Sequence, residues 1–180
     1  MKEFEQEDIE RIERQVDEQN REAVLAELEG MHAADIAELL QHLDLHQAEW
    51  VFELIPDREQ KADVLMELDE EDRKKILEEM DPEQIGHYID LLDTDDAVDL
   101  IQELDEEDRD EVIQNIGDME QAGDIVDLLQ YDEDTAGGLM GTELISVNEN
   151  LSMPDCLREM RHQAEDMDDI YYCLLYTSPS

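Results

Sequence analysis

The heptapeptide ELDEEDR occurs twice, at Glu67 to Arg73 and at Glu103 to Arg109, a spacing of 36 residues. Each copy leads into an amphipathic segment, KKILEEM and then DEVIQNI. Similar breaks recur at Leu43-Asp44, Ile55-Pro56, Met80-Asp81-Pro82, Leu92-Asp93 and Gly117-Asp118. They lie about a dozen residues apart, the length of a three-turn helix. At each break an Asp can cap the next helix, and the acids that follow complement the positive end of its dipole. Asp69 with Asp72 and Asp105 with Asp108 have capping-box spacing, and Pro82 sits where a missing N–H costs nothing. Apolar residues between the breaks keep helical spacing, as in Ile76, Leu77 and Met80 or Val98, Ile101 and Leu104. Helices this short cannot bury a stripe alone, so they must stack on neighbours. The chain therefore reads as mainly α, a right-handed superhelix built as a solenoid of short antiparallel helices from about Met31 to Gln130.

Residues 4–28 read as one longer helix, with Phe4, Ile9, Ile12, Val16, Val24, Leu25 and Leu28 on its apolar side. Gly137 and Gly138 mark a turn and a domain boundary. Beyond them Glu143 to Asn148 reads as a strand, Ser152 to Arg161 as a helix capped by Ser152, and Ile170 to Tyr176 as a second strand. Strand, helix and strand suggest the opening of a small α/β domain.

Charge restricts the functions available. The 180 residues hold 55 Asp and Glu against 12 Lys and Arg, a net charge of -43, which excludes nucleic-acid binding through phosphate neutralisation. With 41% apolar residues the chain can still bury a core, and with 4% aromatics that core is mostly aliphatic, which suits helices. Trp50 and Phe52 read as core anchors. Cys156 and Cys173 are too few for a disulfide framework, there is no signal-peptide core, and no apolar run approaches the ~20 residues that cross a bilayer, so a soluble, reduced setting is expected. The histidines at 32, 42, 46, 87 and 162 fall in no ligand spacing, and Gly137-Gly138 lacks the context of a phosphate loop. No catalytic constellation is visible, and an enzyme is not expected. The carboxylates are the remaining chemistry. Asp95 and Asp99 share a helix face, as Glu103 and Glu107 would on a continuous helix. Like charges ~6 Å apart at an effective dielectric of ~20 repel by about 3 kcal/mol, which a hard divalent cation relieves.

The acidic repeats, the block Tyr131-Asp-Glu-Asp-Thr-Ala-Gly-Gly-Leu-Met140, then Glu143-Leu-Ile-Ser-Val147 and Asp169-Ile-Tyr-Tyr172, resemble the cytosolic portion of MgtE-family magnesium transporters. The resemblance implies a superhelical domain followed by paired CBS domains, a linking helix and a membrane pore. It divides the chain into an N-terminal helix (1–30), an acidic helical-repeat domain (31–136), an incomplete CBS domain (137–172) and a tail (173–180) that departs from the family pattern and reads as non-native. It further implies Mg2+, among divalent cations, as the bound ion, with Asp63 in KADVL and Asp95, Asp96 and Asp99 in LDTDDAVDL as carboxylates that help hold it against the CBS domains. The implied partners are the CBS and pore domains of the same transporter, a homodimer on the cytoplasmic side of the bacterial cell membrane. The expected function is a Mg2+-sensing regulatory part that controls pore gating. The competing reading is an acidic helical-repeat module that binds a basic protein partner.

Overall fold

A computed structural model describes residue 4 and residues 6–132, 135–143, 145–148 and 150–164. The chain divides into two compact units, Met1–Met140 and Gly141–Ser180.

The described residues of the first unit form ten helices: α1 (Gln6–Asp17), α2 (Arg21–Leu28), α3 (Ala33–Gln41), α4 (Leu45–Leu54), α5 (Arg58–Glu67), α6 (Glu70–Glu78), α7 (Pro82–Ile89), α8 (Thr94–Glu103), α9 (Glu106–Asn115) and α10 (Met119–Leu128). The caps fall on the acids that punctuate the sequence. Asp44 and Gln47 form a reciprocal capping box, with N···O distances of 3.0 and 3.1 Å. Asp69 accepts from the Asp72 N–H at 3.0 Å, and Asp105 from those of Glu107 and Asp108 at 3.2 and 3.1 Å. Each cap satisfies N–H groups that the first turn leaves unpaired.

Packing runs mainly between next-but-one helices: α3 on α5, α5 on α7 and α7 on α9 make one row, while α2 on α4, α4 on α6 and α8 on α10 follow the same rule on the other side. This is the stacking of a helical solenoid. Its core is continuous from Ile12 to Leu128 and almost wholly aliphatic, with Phe52 and Tyr88 meeting edge to face at 6.3 Å between ring centres. Phe52 is a core anchor as expected, whereas Trp50 is half-buried at the margin. The 36-residue repeat turns out to span three helices, since its copies open α6 and α9. Stacking repeats every two helices, so the two copies fall on opposite rows.

Residues 4–28, expected as one helix, form two. Gln19 takes a left-handed φ of 50°, and the Asn20 side chain caps α2 by accepting from the Ala23 N–H at 3.3 Å. The fold-back places α1 against both α2 and α4 and buries Ile12, Val16, Val24 and Leu28. One straight helix would have left much of that stripe in water. Glu103 and Glu107 do not share a face either, because Leu104 is extended and Asp105 starts a new helix.

The expected turn at Gly137-Gly138 forms. The N–H groups of Gly138 and Leu139 both donate to the Thr135 carbonyl at 3.1 Å, and a Cβ at Gly137 would lie 2.5 Å from the Tyr131 ring. In the second unit Ser152 caps α11 (Met153–Gln163) as expected, accepting from the Asp155 N–H at 3.4 Å. The strand expected at 143–148 does not form among the described residues. Instead, the Gln163 side-chain amide takes both backbone positions of Ser146, each at 3.0 Å. A strand needs a second strand to pair with, and the one expected at Ile170 to Tyr176 lies outside the described residues. No helix among the described residues is long and apolar enough to cross a membrane.

Candidate functional site

The candidate site is the acidic side of α8. Leu92 is buried before the helix and Ala97, Val98, Leu100 and Ile101 are buried within it, which fixes its orientation and leaves the acids on the opposite side. Asp93 occupies the N-cap, Asp95 and Asp96 the first turn, and Asp99 the second. Acids in the first turn face the positive end of the helix dipole, so the sequence can gather three there at low cost. Asp93, Asp95 and Asp99 are exposed, while Asp96 is half-buried and its N–H donates to an Asp95 carboxylate oxygen at 3.1 Å. Burial pushes the Asp96 carboxyl above the ordinary carboxylate pKa, Asp95, Asp93 and Asp99 push it further, and Arg73 partly opposes them. A half-buried carboxyl crowded by three others takes up a proton more readily than a free aspartate does.

One turn beyond Asp99, Glu103 is captured by Arg73 of α6. The Arg73 Nε donates to the Glu103 carboxylate oxygens at 3.0 and 2.9 Å, a second guanidinium nitrogen also donates to Glu103, and Nη1 donates to the carbonyls of Leu65 and Met66 at 3.3 Å. The two side chains are only 11% and 10% exposed, so their attraction is weakly screened. The Glu103 hydrogen bonds raise the Arg73 pKa above its ordinary value against the opposing effect of burial, and Asp99 and Glu70 add to the rise. Sequence reasoning missed this pair. Its signal was indirect: Arg73 ends the repeated heptapeptide, and its partner lies 30 residues away at the start of the other copy.

The four acids expected to help bind Mg2+ are placed unequally. Asp95, Asp96 and Asp99 come together on α8, whereas Asp63 is exposed on α5, a helix of the other row packed by α3 and α7. Among the described residues no three or more His, Cys, Asp or Glu side chains are grouped so as to hold a metal ion. The α8 acids therefore form no closed metal cage among the described residues; what they present is a concentration of negative charge on one turn and a half of helix.

The model of the MgtE intracellular N domain family matches residues 31–134. Magnesium transporter MgtE of Enterococcus faecalis is 38% identical over 53 residues, covering 29% of this chain and 12% of that protein. Magnesium transporter MgtE of Thermus thermophilus is 44% identical over 45 residues, covering 25% of this chain and 10% of that protein. Each match thus spans about a tenth of the relative's length. Among solved structures, the cytosolic domain of the Mg2+ channel MgtE in complex with ATP superposes with a TM-score of 0.70 at 28% identity, over 84% of this chain and 60% of that one. The soluble part of a magnesium transporter gives 0.69 over 91% and 64%, and at 24% identity it speaks for the fold alone.

Proposed function

We propose, from a chain that belongs to the MgtE intracellular N domain family, that its helical unit is the Mg2+-sensing regulatory part of a magnesium channel or transporter. The family match over residues 31–134 carries this reading, and the α8 acids supply its chemistry. The helical domain (31–136) leads through Gly137-Gly138 into the start of a CBS domain (137–172), and residues 173–180 are a non-native tail. CBS and pore domains follow, and the assembly is a homodimer with these parts on the cytoplasmic side of the cell membrane. Mg2+ acts as the sensed ion. Asp95, Asp96 and Asp99 of α8 and, separately, Asp63 of α5 each help hold an ion from one side, and facing acidic surfaces of the same transporter supply the other ligands. When Mg2+ is abundant the ions bridge the two surfaces and favour the compact, pore-closed arrangement; when it is scarce the carboxylates repel and the domain moves away. Shifting such an equilibrium from mostly open to mostly closed takes about 5.5 kcal/mol of differential binding, so several weak sites act together.

The test is a Mg2+ titration of a chain extended through the whole cytosolic region, with the radius read by small-angle scattering. Wild type is expected to contract over millimolar Mg2+, and D95N/D96N/D99N to change its radius less over the same range. A wild-type radius indifferent to Mg2+ would overturn the reading.

A further inference from the structure

We infer that Arg73 is a built-in counter-cation that weakens divalent-cation binding by the acids of α8 and confines it to the N-terminal half of that helix. This rests on the Mg2+-sensing reading above. Asp96, Asp99 and Glu103 stand at positions i, i+3 and i+7, which follow one another along a single helix face. Arg73 closes the C-terminal end of this row, with its Nε 3.0 and 2.9 Å from the Glu103 oxygens. The Leu65 and Met66 carbonyls hold the same guanidinium, so it cannot swing out to solvent when a cation arrives. Glu103 is thereby removed as a ligand. A divalent ion settling at Asp96 and Asp99 therefore meets a neutralised ion pair about one turn away, where an uncaptured Glu103 carboxylate would have added to its attraction in surroundings that screen charge poorly.

The other copy of the repeat separates this role from a merely structural one. Arg109 returns to the end of the preceding helix in the same manner, its Nη2 donating to the carbonyls of Gln102 and Leu104 at 3.0 and 3.2 Å. Its Nε is buried without a hydrogen-bond partner. A helix corner therefore forms without a captured glutamate, and the hold on Glu103 is additional to what the corner requires.

The test uses the full chain, titrated with Mg2+ by calorimetry at fixed low ionic strength, with helicity followed by circular dichroism. D96N/D99N must weaken binding; if it does not, the cation reading itself fails and the inference falls with it. Given that weakening, R73Q is expected to lower the Mg2+ midpoint by roughly three- to tenfold. E103Q frees the Arg73 charge and is expected to raise the midpoint, and R73Q/E103Q to return it to within about twofold of wild type because the pair is neutral in total. An R73Q midpoint that is unchanged or higher overturns the inference alone. Where R73Q folds, a double variant as weak as E103Q would make Glu103 a direct ligand and overturn the inference; should R73Q lose its helicity, E103Q decides, and an unchanged or lower midpoint in E103Q overturns it.

Discussion

Asp96 shows how one side chain couples the charge of α8 to the fold. Burial and its neighbours raise its pKa in the folded chain above the unfolded value. Ionised Asp96 therefore opposes folding at neutral pH, and the penalty fades as pH falls through the raised pKa toward that of an unfolded aspartate. D96N is expected to raise Tm at pH 7 by about 1–2 °C after allowance for solvent screening, and the gain should vanish near pH 3. A thermal melt series of both proteins from pH 3 to 7 checks this. A D96N gain that persisted at low pH would point to packing rather than charge.

Helix corners and close approaches set the behaviour of whole elements. Each ELDEEDR copy places a Leu at the end of one helix, an Asp cap at the start of the next and an Arg that returns to the preceding carbonyls, where a cation suits the negative end of the dipole. The corner is thus built twice from one heptapeptide. D105A removes the acceptor for two N–H groups and should destabilise by about 1 kcal/mol. Two helical glycines give opposite expectations. At Gly86 a Cβ would lie 2.9 Å from the Asn115 carbonyl oxygen, where α7 crosses α9, and backbone cannot rotate aside. G86A should therefore cost about 1–3 kcal/mol. At Gly123 the space is open, so G123A should gain about 0.5–1 kcal/mol from helix propensity. Urea unfolding of the two variants reads both signs in one experiment.

On the scale of the molecule, a net charge of -43 works against compaction. Raising NaCl from about 10 to about 150 mM shortens the screening length from ~30 to ~8 Å and should raise Tm, with Mg2+ at matched ionic strength raising it further. Equal effects of the two salts would mean screening without binding. Among the described residues, every member of the buried core, from Ile12 to Leu128, belongs to the first unit. A chain ending at Met140 should keep its cooperative helical melt with Tm within about 2 °C of the full chain, and a broad melt with lost helicity would show that the core is not self-sufficient.

Much of this protein was legible in its residues alone, because caps, turns and helical stripes act over about five residues. Asp44, Asp69, Asp105, Asp118 and Ser152 cap the helices they precede, and the Gly137-Gly138 turn stands where the glycines mark it. The acids of α8 could be placed on one helix in the same way. Even the break in α1–α2 left a trace, the eight-residue gap from Val16 to Val24 with Asn20 inside it. Tertiary structure alone decided which helices share a row, that Gly86 touches Asn115, that Glu103 belongs to Arg73 and that Asp63 stands on a different row from Asp99. It also left 145–148 without strand pairing, its Ser146 held by a glutamine side chain. The contacts named here join residues 17 to 30 positions apart. Their energy depends on how several apolar stripes pack at once, and no local pattern of residues encodes that choice.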